Sequence, residues 1–156
     1  MTRRSFQEKL NYGECWGCSP VNGQGLQIKS YWEGEEAIAT FQPEPQYIAG
    51  PKHIVNGGIV ATIVDCHCAN TAIADSYRRE GREIGSLPII WYVTASLKVD
   101  YLCPMLIAGP VVLRARIESF SERKTIVTCD VYSQEKICAS GNVLAVRVPG
   151  SWFERG

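Results

Sequence analysis

The chain has 156 residues, 46% of them hydrophobic, with Lys+Arg and Asp+Glu both at 16 and a formal charge of zero. That supplies one domain with a real core and excludes a disordered chain. It also excludes a field of one sign that would recruit nucleic acid or a membrane surface, and near-zero charge fits self-association.

Arg3 and Arg4 are followed by SFQEKLNYGE, which lacks the apolar stretch of a signal peptide. The best apolar run, from Ile59, is broken by Asp65, His67 and Asn70, so no bilayer span is expected. Seven cysteines, an odd number scattered through core-like sequence, read as reduced thiols in a cytoplasmic protein.

The first 25 residues combine a short helical start, SFQEKL, with the turn-rich CWGCSPVNGQG. LQIKSYW then alternates with period two, Glu33-Gly34-Glu35 turns the chain, and EAIATFQP reads as a second strand. Pro43, Pro45, Gly50 and Pro51 mark a loop. A long apolar segment rich in Ala and Ile predicts a helix from about Asn56 to about Arg79. Gly81, Gly85 and Pro88 end it. Four strands follow: IIWYVTASLKVDYL, PVVLRARIESF, KTIVTCDVYSQ and CASGNVLAVRV. Two strands, one long helix and four strands make an α+β single domain, an antiparallel sheet with the helix on one face.

Residues 59–74 carry one formal charge, Asp65. A helix apolar nearly all round is buried, and an unpaired carboxylate there is costly unless partnered, wet or functional. The plain alternative is a buried Arg or a hydroxyl such as Thr62. The functional reading gains from Asn56-Gly57-Gly58 at the helix start. Adjacent glycines let the backbone approach a ligand, and the first N–H groups face anions or an oxygen becoming anionic. Asn56 as an ordinary N-cap is the competing account.

Gly58 and Asp65 are seven residues apart, nearly two turns, so they share one face but lie about 10 Å apart along the axis. One carbonyl cannot sit within reach of both in a single chain. Two antiparallel copies of the helix would bring Asp65 of one towards Gly58 of the other, so a shared role requires at least a dimer.

Cys15-x-x-Cys18 is half a zinc site, but no second Cys or His pair at ligand spacing follows. Cys66, His67 and Cys68 fan out by about 100° each and cannot face one ion. No metal is expected. Asp65 and His67 are two apart and point to different faces, which weakens an acid–base pair of the hydratase type. GxSxG is absent. Arg78, Arg79 and Arg82 read as the solvated helix end, where cations suit the dipole.

The Gly-Gly entry, the Asp seven residues on, the β-α-β-β-β-β order and the strand VTASLKVDYLCP resemble the hotdog-fold acyl-CoA thioesterases of the PaaI-like and THEM branch. CWGCSPVNGQGLQIK resembles the Cys-rich leader of that branch, and the match runs over roughly residues 12 to 149. The resemblance implies one long helix wrapped by an antiparallel sheet, paired as a dimer or a dimer of dimers. It implies hydrolysis of an acyl-CoA thioester, coenzyme A being part of the substrate and no separate cofactor being needed. Gly58 would give its N–H to the thioester carbonyl. Asp65 of the facing subunit would act as general base or nucleophile, and Thr94 would lie near the attacking group. Gly57, His53 and Ser96 are the neighbouring candidate substrate contacts. Arg123 and Lys124, at a strand turn, are the pair for the coenzyme A phosphates, an ordinary charged hairpin being the alternative. The family motif begins with His where this chain has Asn56. Asn can donate to a carbonyl but cannot relay a proton at neutral pH. A non-catalytic acyl-CoA binding module and an enoyl-thioester hydratase are the competing functions.

Overall fold

The computed structural model describes residues 2–154. Ser5 caps the short helix α1 (Phe6–Leu10) in a capping box with Glu8. Strands β1 (Ser30–Glu33) and β2 (Glu36–Phe41) form a hairpin, and after a loop the long helix α2 runs over Gly57–Arg79. Strands β3 (Trp91–Tyr101), β4 (Val111–Phe120), β5 (Lys124–Ser133) and β6 (Lys136–Val148) follow, then a 3₁₀ turn at Gly150–Glu154. All pairings are antiparallel, in the order β1-β2-β4-β5-β6-β3. β3 therefore crosses to the far edge and pairs only with β6, leaving its outer edge open. The six-stranded sheet wrapped on one helix is the hotdog fold.

The inner face of the sheet is the alternate set expected of a half-buried strand. Leu113, Ala115, Val127, Cys129, Val131, Val143 and Ala145 are wholly buried against Ile63, Val64 and Ile73 of α2. Small residues let the sheet close tightly: a Cβ on Gly141 would stand 2.4 Å from Val64 Cγ1. By length and composition alone α2 could cross a bilayer, contrary to the sequence expectation, but most of it is covered by the sheet.

The first strand begins later than its apolar alternation suggests. Leu26 and Ile28 donate to the carbonyls of Trp16 and Gly17, and Gln27 sits at φ +52°. The segment 26–29 thus pairs with the leader turn before joining the sheet. The leader itself lies on α2, so the irregular N-terminus is part of the packed structure. At the other end of α2, Arg78 and Arg79 do more than solvate the helix. They hold the buried Asp75 at 3.0 and 2.7 Å and lie over the rings of Trp32 and Phe120.

Candidate active site

Asp65 faces the one open stripe of α2. Gly58, Ala61, Thr62, Asp65 and Ala69 keep some exposure, while the residues between them are largely buried. The spacing of three and four places them on a single face. Among the described residues no cation pairs with Asp65. Its partner is a hydroxyl, as the plain alternative required, but from β3 rather than the helix: Thr94 Oγ1 donates to Asp65 Oδ1 at 2.5 Å. Thr62 instead donates to Gly58 O at 2.9 Å. Burial raises the Asp65 pKa, the Thr94 hydrogen bond opposes this, and the nearby Cys15 adds to the rise.

A β-bulge positions Thr94. Thr94 pairs with Ala145 and Ser96 with Leu144, so Ala95 is the extra residue. Ala145 is buried and Leu144 only partly so. Cross-strand partners share a face, which puts Thr94 inside and turns Ser96 out. This corrects the expectation for Ser96: without the bulge, residues 94 and 96 would point the same way.

At the helix start Asn56 is the N-cap, its Oδ1 accepting from Gly58 N at 2.8 Å. The expectation of a free Gly58 N–H is corrected accordingly: the cap occupies it. Tyr101 OH donates to Gly57 O at 2.6 Å and packs its ring over that glycine. Sequence reasoning missed Tyr101, because nothing in one dimension links it to a glycine 44 positions away. Below it an apolar cleft of about 400 Å³ opens at the helix N-terminus, walled by Ile54, Val60, Leu102, Pro104 and Met105. His53 lies exposed on the loop before the helix, its carbonyl accepting from Ile107 N at 3.0 Å.

Arg123 and Lys124 are exposed at the β4–β5 turn. Lys124 pairs with Val146, which pairs with Val93, so this turn is level with the residue before Thr94 and about 10 Å across the sheet. His67 is wholly buried, with Nε2 on Ala37 O at 2.9 Å and Nδ1 against Ser30 Oγ at 2.8 Å. It is a core histidine and forms no pair with Asp65, as expected.

The expectation of no metal rested on the lack of a second Cys or His pair at ligand spacing. The fold instead brings a single third sulfur: Cys66 of α2 meets the Cys15–Cys18 turn, and the three sulfurs lie within 4.8 Å of one another. Hydrogen bonds from the Cys18 and Cys66 thiols pull the Cys15 pKa down, and the same contacts push Cys66 up. All seven cysteines are free.

The backbone superposes on a thioesterase superfamily protein from Shewanella loihica PV-4 with a TM-score of 0.67 and 33% identity, covering 88% of this chain and 96% of that one. The chain belongs to the thioesterase superfamily. The PaaI protein of the Escherichia coli phenylacetic acid degradation operon shares the fold, with TM-score 0.65 and 16% identity over 80% of this chain and 82% of that one. In sequence the chain is 27% identical over 116 residues to the acyl-coenzyme A thioesterase THEM4 of Xenopus laevis, covering 73% of this chain and 46% of that protein. It spans about half the length of the curated relatives it matches. No protein-family model matches it.

Proposed function

We propose that this thioesterase superfamily member hydrolyses an acyl-CoA thioester in a site shared between two subunits. The observation that carries the reading is Asp65, a carboxylate without a cation among the described residues, held by Thr94 on the open stripe that also carries Gly58. The two ends of that stripe are about 10 Å apart within one chain. The free edge of β3 and the exposure of Ala95 to Lys98 beside it suit pairing with a second copy.

In this site the thioester carbonyl oxygen displaces Asn56 Oδ1 from Gly58 N–H, and the turned amide offers its Nδ2. The helix dipole adds to the stabilisation of the developing oxyanion. Asp65 of the other subunit removes a proton from water through Oδ2, the oxygen Thr94 leaves free. Water attacks the carbonyl carbon, the tetrahedral intermediate expels the thiolate of coenzyme A, and the thiolate takes up the proton. A raised carboxylate pKa favours this base role. The cleft beneath Tyr101 has the size and lining for an acyl or aryl-acyl group, and Arg123 with Lys124 offers charge for the phosphates. The acyl-CoA thioesterase name of the THEM4 relatives supports the substrate class.

The test is thiol release from short, long and aromatic acyl-CoAs, with Asp65→Asn beside the wild type. Loss of the base is expected to lower kcat by about two to four orders of magnitude with the assembly intact. Undiminished hydrolysis by the variant across the panel would refute the assignment. The Asn56 cap on Gly58 favours one second reading, an acyl-CoA binding module without turnover. It predicts calorimetric binding with no thiol released by the wild type. The buried His67 removes the Asp–His pair on which a hydratase reading would draw.

A further inference from the structure

We propose that Cys15, Cys18 and Cys66 bind Zn²⁺ through three thiolates, fastening the N-terminal leader to the central helix beside Asp65. This inference does not depend on the hydrolase reading, because it concerns how the leader is held rather than what the open stripe does.

The geometry is already close to that of a zinc site. Sulfurs at the corners of a tetrahedron with Zn–S bonds of about 2.3 Å lie about 3.8 Å apart. Cys15 Sγ and Cys66 Sγ are 3.8 Å apart, and all three sulfurs fall within 4.8 Å. Closing the widest of these gaps to the tetrahedral value takes at most about 1 Å of movement.

The surroundings suit thiolates. Asn70, itself buried, donates to Cys18 Sγ at 3.4 Å and to Cys66 O at 2.8 Å, fixing two ligands at once. An outer hydrogen bond of this kind orients a ligand sulfur, as partners behind the first ligands do in metal sites. Gly17 permits the close approach: a Cβ there would stand 2.3 Å from Cys66 Sγ. The turn is closed by Leu26 N–H on Trp16 O at 2.9 Å and Ile28 N–H on Gly17 O at 3.2 Å.

Cys18 and Cys66 are buried while Cys15 is exposed, so the ion would be enclosed on the protein side and open on one. On binding, Zn²⁺ displaces the three thiol protons to solvent and takes water as its fourth ligand from the side of Cys15. The soft sulfur set selects zinc over magnesium or calcium.

The test uses tag-free full-length protein, reduced and exchanged into Zn²⁺ or Co²⁺. Elemental analysis should find one zinc per chain, and the Co²⁺ form should show thiolate-to-cobalt charge-transfer absorption. That absorption should be lost in Cys15→Ser, at an exposed position that leaves the fold unstrained, and in Cys66→Ser. It should persist in Cys103→Ser, whose sulfur lies elsewhere. Reduced wild-type protein that takes up less than stoichiometric metal would overturn the proposal. So would Co²⁺ binding without the thiolate band, a band unaffected by Cys15→Ser, or a Cys15–Cys18 disulfide in protein isolated without oxidant.

Discussion

Mild acid is expected to destabilise the protein through His67. Its imidazole is wholly buried, with Nε2–H donating to Ala37 O and Nδ1 accepting from Ser30 Oγ, a hydroxyl that Gln7 Nε2 also engages at 2.9 Å. Burial depresses its pKa from 6.5 to about 4, opposed only weakly by the Ala37 hydrogen bond. Between those values the unfolded chain binds a proton that the folded chain does not. Stability is therefore full above pH 6.5 and falls as the pH drops towards 4. The gap corresponds to roughly 3 kcal/mol in all, with about 2 kcal/mol of it lost by pH 5. Urea unfolding from pH 8 to 5, at fixed protein concentration and read by tryptophan fluorescence, measures the slope. His67→Gln beside the wild type separates this histidine from the carboxylates, since the variant should lack that part of the slope. Imidazole NMR gives a direct check, because the chain has only two histidines. A His67 ring that titrates with a midpoint at pH 6 or above, or parallel slopes in the two proteins, would refute the reasoning.

Thr94→Val removes the hydrogen bond that opposes the rise in the Asp65 pKa, so the acid limb of the kcat–pH profile should move to higher pH. An unmoved limb would separate Thr94 from the base. Because the folded pKa of Asp65 is raised, ionisation at neutral pH costs stability. Asp65→Asn should therefore unfold at a higher temperature than the wild type at pH 7.5 and lose that advantage as the pH falls below the raised pKa. Gly141→Ala should cost about 1–3 kcal/mol by denaturant unfolding, since its methyl group meets the wholly buried Val64. Single-turnover hydrolysis in ¹⁸O-water should leave Asp65 unlabelled by peptide mass spectrometry; label in its carboxyl group would make it the nucleophile.

Much of the fold was legible in one dimension because its signals are local. Asn56-Gly57-Gly58 and the apolar run after it place α2 to within a residue of its observed start, because capping and side-chain periodicity act over a few positions. Dense β-branched and aromatic residues between turn signals located β2 to β6 to within two or three residues for the same reason. Asp65 stood out because a lone charge in an apolar helix is costly wherever the chain folds. What the tertiary structure decided are the partners. The Thr94 hydroxyl reaches Asp65 across 29 residues only because β3 crosses to the far edge of the sheet and bulges at Ala95. That same bulge turns Ser96 away, which alternation alone assigns to the wrong face. Tyr101 meets Gly57, and Cys66 completes a thiol cluster with a turn about 50 residues earlier. Local propensity is written into neighbouring residues, whereas such contacts follow from how strand order and register fold the chain back on itself.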